Sequence, residues 1–190
     1  MSARVRPAVF LDRDGTILDE LGYLTPDAEL TIYPWSLDAI RLLRRAGFAI
    51  VVVTNQGGIG RGLYTREFVE ETHRRLDERF RLAGATVDGW YFCPHHSEAL
   101  LPEFAGPCSC RKPAPGLVHE AVRTLELDPQ RSWVIGDQWR DIALGHAVGA
   151  RTILVHTGHG LTQDAKWPAD VRRPTMVSDT LIAAASAILR

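Results

Sequence analysis

Short, continuously apolar runs alternate along this chain with stretches in which apolar residues recur every three or four positions. The runs at residues 8–11, 49–53 and 133–135 have the pattern of parallel strands that are covered on both faces. The clearest helical face follows Thr65, a suitable N-cap, and consists of Phe68, Val69, Thr72, Leu76 and Phe80. Repeated strand–helix units predict an α/β fold, a doubly wound and mostly parallel sheet flanked by helices.

The remaining elements follow from the same periodicities and from turn residues. Ser36 is a suitable N-cap for a helix over residues 36–46, and Gly47 is suited to end it. Further strands are predicted at residues 87–92, 152–155 and 174–177, and further helices after Pro115 and at residues 140–148 and 179–189. Residues 18–34 show no clear periodicity.

Composition narrows the class of protein. The chain has 190 residues, of which 45% are hydrophobic, and a formal net charge of −1, so it can bury a core and is not a polycation. The first six residues lack the apolar core of a signal peptide, and no apolar stretch approaches the roughly 20 residues that span a bilayer. We therefore expect a cytoplasmic monomer that binds neither nucleic acid nor membranes.

The three cysteines lie close together in the sequence. Cys93 and His95 form one pair, and Cys108 and Cys110 form a second pair twelve residues further on. Three sulfurs and one imidazole are a common tetrahedral set for Zn²⁺, and a closed set leaves no position for substrate, so we expect a structural ion. His96 is an alternative to His95 that the spacing does not exclude.

Polar residues with catalytic potential follow several of the predicted strands. Asp12 and Asp14 come directly after the first strand, Thr54 after the second, Lys112 after the cysteine pairs and Asp137 after the 133–135 run. In an open parallel sheet these positions meet in one crevice at the carboxyl ends of the strands. Two carboxylates this close favour a divalent cation or a shared proton, whereas the alternative is an ordinary surface turn.

This set of residues is suited to the hydrolysis of a phosphate monoester. Asp12 is placed to attack phosphorus and form an aspartyl-phosphate, and Asp14 to protonate the leaving oxygen and then activate water. Mg²⁺ prefers oxygen ligands, which Asp12, the Asp14 carbonyl and Asp137 would supply. Lys112 and the Thr54 hydroxyl would neutralise and hydrogen-bond the phosphate oxygens.

The same residues resemble the motifs of a known family. Residues 10–16 (FLDRDGT), Thr54-Asn55, Lys112, and Gly136-Asp137 with Asp141 are similar, in order and approximate spacing, to the four motifs of the haloacid dehalogenase (HAD) superfamily of aspartate-nucleophile phosphatases. The resemblance implies a Rossmann-like core, a phosphate-binding role for Asn55, and a single domain over residues 1–190 with a minimal cap and a zinc-stabilised loop at residues 93–110.

Within that superfamily the chain resembles the nearly capless branch of heptose bisphosphate phosphatases and histidinol phosphatases. The long cysteine loop, Gly22-Tyr23 and residues 54–62 are closer to the heptose enzymes. The resemblance implies a small phosphorylated sugar as substrate, in the synthesis of activated heptose for bacterial surface polysaccharide. A histidinol phosphatase or a generalist sugar phosphatase is the alternative. The substrate-binding residues it implies are Glu20, Leu21, Gly22, Tyr23, Gln56, Gly57 and Arg111.

The chain also departs from the pattern of this branch. Gln138 stands where a lysine or arginine is usual, so a positive charge near Asp137 is expected to be missing. Gly58 and Gly60 replace bulkier residues, which is expected to loosen contacts with the substrate. Two other classes of protein are weighed against the phosphatase. A phosphoacceptor signalling domain has adjacent acids after a middle strand, unlike Asp12 and Asp14, and the retained acids and lysine argue against a non-catalytic zinc module.

Overall fold

The computed structural model describes residues 5–20, 22–25 and 30–190. Within them six strands form one sheet in which every neighbouring pair is parallel. The strands are β1 (Ala8–Leu11), β2 (Ala49–Asn55), β3 (Gly89–Cys93), β4 (Trp133–Gly136), β5 (Arg151–Val155) and β6 (Met176–Ser178). Their order across the sheet is β3-β2-β1-β4-β5-β6. The predicted fold class is therefore confirmed.

The strand order places a switch point between β1 and β4. From β1 the chain winds outward through β2 to β3, and it then returns to the other side of β1 and winds through β4 and β5 to β6. Leu11, the last residue of β1, lies between Val52 of β2 and Ile135 of β4. Connections that leave in opposite directions open a crevice at the carboxyl ends of these two central strands, where ligands of such sheets bind.

Helices cover both faces of the sheet, in agreement with the continuously apolar strands. Val9 and Leu11 pack with residues of α1, α2 and α6, whereas Ala8 and Phe10 pack on the opposite face with residues of α3 and α4. The helices are α1 (Ser36–Arg45), α2 (Arg66–Leu82), α3 (Gly116–Leu125), α4 (Trp139–Ala147), α5 (Gly160–Ala165) and α6 (Leu181–Ile188). Because apolar area drives folding at about 25 cal/mol per Å², these two layers supply most of the burial that orders β1.

Several element boundaries differ from the sequence-based prediction. The Ser36 N-cap is wrong: Trp35 occupies the cap position, and the buried Ser36 hydroxyl donates to the carbonyl of Ile17. The Thr65 cap is confirmed, since its side chain accepts the N–H of Phe68. β2 includes Thr54 and Asn55, which had been expected after the strand. The short helix α5 had not been predicted.

The segment between β1 and α1 contains no further domain in its described residues. It forms only isolated bridges, from Asp14 to Leu18 and from Leu18 to Ile32. The described part of this segment therefore contains no helix or paired strand above the carboxyl end of β1, in agreement with the predicted minimal cap. In the part of the chain that the structure describes, no helix has the length and apolarity to span a bilayer.

Candidate active site

A polar pocket of about 180 Å³ lies at the carboxyl ends of the central strands. Its lining contains all eleven of the described residues that were predicted to bind substrate or phosphate or to act as catalysts. The lining residues are Asp12, Asp14, Glu20, Gly22, Tyr23, Thr54, Asn55, Gln56, Gly57, Tyr64, His96, Arg111, Lys112, Gln138, Arg140, Asp141 and His159. Leu21, also predicted to contact substrate, lies outside the described residues.

Lys112 is the cation nearest to the predicted nucleophile. Its buried ammonium lies 2.8 Å from Oδ1 of Asp12 and 2.7 Å from Oδ1 of Asp141, and it donates to the carbonyl of Val53 at 2.9 Å. Burial alone would lower the pKa of Lys112, but the carboxylates of Asp12 and Asp141 raise it to about 12. Lys112 therefore remains charged at neutral pH and holds the Asp12 carboxyl in place.

The side chain of Asn55 positions Lys112 through its backbone. Oδ1 of Asn55 accepts the N–H of Lys112 at 3.0 Å, and Nδ2 of Asn55 donates to the Lys112 carbonyl at 3.2 Å. Both polar ends of this amide are therefore engaged by the protein. Asn55 lines the pocket as predicted, but the contacts of its side chain are those of a clamp on the lysine-bearing loop.

Asp14 is held between two donors on opposite elements. The guanidinium of Arg13 donates from Nε to both carboxylate oxygens, at 3.0 and 3.2 Å, and from Nη2 to Oδ2 at 2.9 Å. Nε2 of Gln56 donates to the same Oδ2 at 2.9 Å and also to Oγ1 of Thr54. Gln56 in turn accepts from the hydroxyl of Tyr64 at 3.0 Å. This network fixes Asp14 relative to the carboxyl end of β2.

Asp137 is fully buried at the carboxyl end of β4. Its Oδ2 accepts the N–H of His159 at 2.8 Å, whereas its buried Oδ1 has no hydrogen-bond partner among the described residues. Gly15, with φ of +75°, passes so close that a Cβ there would overlap the Asp137 carboxylate. The close approach of Gly15 brings the loop after β1 against this acid.

Carboxylate oxygens of Asp12, Asp137 and Asp141 all lie within 4.8 Å of one another. Burial raises the pKa of Asp12 to about 7, and burial together with the neighbouring Asp12 and Asp141 raises that of Asp137 to about 8. Three buried acids with one lysine have excess negative charge, and Oδ1 of Asp137 lacks a donor. An all-oxygen donor set of this kind fits a hard divalent cation.

Asp141 belongs to this cluster, although it had been left out of the predicted metal ligands. Its Oδ1 receives Lys112, and its Oδ2 accepts the N–H of Gln138 at 3.0 Å in a capping box that begins α4. Because both oxygens are engaged by the protein, Asp141 is better suited to anchor Lys112 than to bind a cation. The feature of the sequence that could have identified Asp141 is its position four residues after Asp137, in the first turn of a helix.

Arg140 brings positive charge to the region where the sequence analysis expected one to be missing. Its Nη2 donates to Oε1 of Gln138 at 2.7 Å, and both side chains line the pocket. Gly58 is buried, and a Cβ there would overlap the ring of Tyr64, so a bulkier residue does not fit at this position unless Tyr64 moves. That loop is closely packed.

The cysteine loop brings together the side chains of Cys93, His95, Cys108 and Cys110, whose ligand atoms all lie within 4.8 Å of one another. Sγ of Cys93 lies 3.7 Å from Sγ of Cys108 and from Nδ1 of His95, and 2.7 Å from Sγ of Cys110. Zn–S bonds of about 2.3 Å in a tetrahedron separate sulfurs by roughly 3.8 Å. The donor set is one that could hold zinc.

The two adjacent histidines lie in different places. Nδ1 of His95 lies 3.4 Å from Sγ of Cys110, whereas Nδ1 of His96 accepts the N–H of Glu98 and His96 lines the polar pocket. Arg111 also lines the pocket, and its Nη1 donates to the carbonyl of His95 at 2.7 Å. The cysteine loop therefore forms one wall of the pocket.

Six residues of the pocket lining had not been predicted as catalytic, phosphate-binding or substrate-binding residues. They are Tyr64, His96, Gln138, Arg140, His159 and Asp141, the last of which anchors Lys112. Tyr64 and His159 belong to none of the sequence motifs, because their positions depend on how the loops after β2 and β5 fold back.

An α/β sheet with these acids at its switch point defines a hydrolase of the HAD class.

Comparisons with known proteins agree with that class. A family model described as HAD-hydrolase-like matches residues 109–184. A curated relative from Yersinia pestis, named D-glycero-beta-D-manno-heptose-1,7-bisphosphate 7-phosphatase, is 39% identical over 166 residues, which cover 86% of this chain and 88% of the relative. A relative of the same name from Escherichia coli (strain K12) is 39% identical over 169 residues, 88% of each chain.

A solved structure of a phosphatase has the same fold as this chain. The D,D-heptose 1,7-bisphosphate phosphatase from B. bronchiseptica, crystallised with magnesium and phosphate, superposes with a TM-score of 0.84 at 30% identity, over 96% of this chain and 98% of that one. The chain belongs to the family of HAD-like phosphatases that contains these relatives. The predicted enzyme class, a phosphatase, is confirmed.

Proposed function

We propose that the protein removes the 7-phosphate of D-glycero-β-D-manno-heptose 1,7-bisphosphate through an aspartyl-phosphate on Asp12. The observation that carries the proposal is the position of Asp12, whose carboxyl is held by Lys112 at 2.8 Å in a pocket that also contains Asp14. The substrate is taken from the curated relatives, which share 39% of their aligned residues with this chain. Membership of this family favours a phosphatase over a signalling domain or a non-catalytic zinc module.

In the first half-reaction a carboxylate oxygen of Asp12 attacks the phosphorus. The new Asp12 O–P bond forms as the bond between phosphorus and the C7 oxygen breaks, and Asp14 gives its proton to the departing alkoxide. Lys112 and Thr54 line the pocket, and the lysine charge and the threonine hydroxyl would stabilise the negative phosphoryl oxygens. The products of this step are the heptose 1-phosphate and the phosphorylated aspartate.

In the second half-reaction Asp14, now a carboxylate, removes a proton from water. The water oxygen attacks phosphorus, the Asp12 O–P bond breaks, and inorganic phosphate leaves. Asp14 regains its proton and Asp12 its carboxylate. The same group acts as acid and then as base, which requires that it stay in one place through both steps. Its bonds to Arg13 and Gln56 serve that purpose.

We assign magnesium to the acidic cluster, with Asp12, the backbone carbonyl of Asp14 and Asp137 as the residues that would hold it. The unpartnered Oδ1 of Asp137 and the oxygen-only donors support this assignment. When bound, the ion would neutralise charge on the transferred phosphoryl group. We assign structural zinc to Cys93, His95, Cys108 and Cys110, a closed set with no position for substrate.

The rest of the pocket supplies the groups that a sugar bisphosphate needs. Arg111 and Arg140 on one wall can pair with a second phosphate, and Glu20 and Tyr23 on another can bond to hydroxyls. Glu20 is itself held, since its Oε1 accepts the N–H of Gly22 at 2.7 Å. We also propose that residues 1–190 form one domain that acts as a cytoplasmic monomer.

A panel of phosphorylated metabolites tests this function. We expect kcat/KM for the β anomer of the heptose bisphosphate to exceed that for the α anomer, for fructose 1,6-bisphosphate and for histidinol phosphate by at least about tenfold. Asp12→Asn should lower every value by at least about 10³-fold while the variant keeps its fold by circular dichroism. Full turnover by Asp12→Asn would refute the nucleophile, and equal kcat/KM values would make the protein a generalist.

A further inference from the structure

Arg13 is a charged side chain with no access to solvent, and it is the largest fully buried side chain among the described residues. Burying a charge is costly unless every donor finds a partner. Nε and Nη2 are satisfied by Asp14, and Nη1 lies 3.0 Å from Nε2 of His73 on α2. The guanidinium therefore bridges the acid of the active site and a histidine in the helix layer.

The direction of the contact between Arg13 and His73 follows from chemistry. A guanidinium only donates, so Nε2 of His73 must accept, and the imidazole proton must be on Nδ1. Burial, reinforced by the charge of Arg13, lowers the pKa of His73 to about 3, in agreement with a neutral ring. His73 is thus a permanent acceptor for Arg13.

The imidazole is itself locked by aromatic packing. Its ring stacks on Trp90 with centroids 4.9 Å apart and meets the edge of Phe92 at 5.6 Å, both on β3. The indole N–H of Trp90 donates to Asp77 of α2 at 3.1 Å, which ties strand and helix together around the ring. These contacts fix the orientation of the His73 ring, so that its Nε2 can accept a hydrogen bond from Arg13.

We propose that His73 is a positioning residue for the reaction, which holds Arg13 and through it the carboxyl of Asp14. The inference rests on the proposed function, in which Asp14 is the general acid. Asp14 is partly exposed, with 20% of its side chain accessible, so it depends on its partners for its orientation. If Nη1 of Arg13 loses its acceptor, the long side chain must move to find another, and Asp14 moves with it.

The leaving group provides a readout that a merely structural role would not affect. Departure of an alkoxide from a sugar phosphate needs the proton of Asp14, whereas 4-nitrophenolate leaves without one. The parameter kcat/KM reports on steps up to the first irreversible one, which is the departure of the leaving group. The test is therefore the ratio of kcat/KM for fructose 1,6-bisphosphate or the heptose bisphosphate to that for 4-nitrophenyl phosphate.

The pair His73→Gln and His73→Leu separates the acceptor from the bulk of the side chain. We expect His73→Leu to lower kcat/KM for the sugar phosphate by about 100-fold and that for the aryl phosphate by less than about threefold. His73→Gln retains an acceptor at a similar reach and should restore the sugar phosphate value to within about fivefold of wild type. His73→Asn, polar but too short to reach Arg13, should behave like the leucine variant.

Val69→Ala, on the same buried face of α2, is the matched control. It removes packing without any polar group that Arg13 uses, so it should lower Tm and leave the ratio of the two kcat/KM values unchanged. Equal losses on both substrates in His73→Leu, or no loss at all, would overturn the positioning role. Failure of the proposed function gives a different result, since Asp12→Asn would then keep its turnover.

Discussion

The carboxylates after β1 and β4 and the thiols of the cysteine loop are both clusters of acidic side chains, but their surroundings differ in charge. Asp12 and Asp141 share the buried ammonium of Lys112, at 2.8 and 2.7 Å. In the cysteine loop, the nearby guanidinium of Arg111 is directed to the backbone carbonyl of His95. Burial raises the pKa of Cys93 well above its ordinary value, so that thiol stays protonated unless a cation stabilises the thiolate.

The difference teaches which of the two clusters depends on a metal ion for its shape. The carboxylate cluster contains the ammonium of Lys112 and several hydrogen bonds, so its geometry should persist without the proposed magnesium. The thiol cluster has no such cation, so without the proposed zinc the loop should lose its order. The two clusters are also linked along the chain, because Arg111 and Lys112 directly follow Cys110.

The largest effect on activity is expected when the ammonium of Lys112 is removed from the carboxylate cluster. Lys112→Met keeps the length of the side chain but leaves Asp12 and Asp141 unpaired, and we expect kcat/KM to fall by roughly 10³-fold. Lys166→Met is the matched control, because Lys166 is exposed and is the second of the two lysines of the chain. Steady-state kinetics checks the prediction, and more than a tenth of wild-type activity in Lys112→Met would contradict it.

Disruption of the thiol cluster should lower kcat/KM less than Lys112→Met does, but it should disorder the cysteine loop more. We expect Cys108→Ser combined with Cys110→Ser to abolish zinc binding, measured by elemental analysis, and to lower Tm by at least about 5 °C, about 2 kcal/mol for a chain of this size. Because Arg111 follows Cys110 directly, the same double variant should displace Arg111 and reduce kcat/KM for the sugar bisphosphate by about 10- to 100-fold. Ser109→Ala, between the two cysteines, should change neither. Wild-type zinc content and kinetics in the double variant would refute the structural role.

Magnesium should stabilise the protein modestly and in a pH-dependent way. The pKa values of Asp12 and Asp137 are raised to about 7 and 8, so above the ordinary aspartate pKa the folded chain binds more protons than the unfolded chain. Without magnesium, the contribution of these two groups to the free energy of unfolding therefore falls as pH rises from about 4 to 8. Magnesium competes with those protons, so the rise in Tm that it causes should be larger at pH 8 than at pH 6.

Calorimetry with EDTA or excess magnesium at the two pH values measures this difference. At a concentration about one hundred times its Kd, the ion would add about 2.7 kcal/mol. Asp137→Asn should remove the magnesium dependence at both pH values. A magnesium-induced shift in Tm that is the same at pH 6 and pH 8 would be evidence against binding at these acids.

The sequence was sufficient for the fold class and for the location of the pocket, because both depend on short-range signals. Apolar runs predict strands, and in a parallel sheet the residues at or just after their carboxyl ends share one edge, which accounts for Asp12, Thr54 and Asp137. The roles of these residues remain predictions that the proposed variants test. The choice between His95 and His96 needed the coordinates, because neighbouring residues in a loop have no fixed period.

The contacts between layers could not be predicted. His73 of α2 is one example, since periodicity gives the buried face of a helix and not the atom it meets. The partner of His73 is Arg13, sixty positions away, and an arginine between two acids resembles a solvated surface residue in a sequence. Ser36 is a similar case, because the competing acceptor at Ile17 lies outside its own helix.

The position of β3 at one edge of the sheet bears on how this protein can evolve. Cys93 ends a strand that, among the described residues, pairs with β2 alone, so insertions or deletions in the loop that follows break no hydrogen bonds between the central strands. Lineages can therefore lengthen or shorten this loop, and so remodel one wall of the pocket, while the chemistry at β1 and β4 is inherited unchanged.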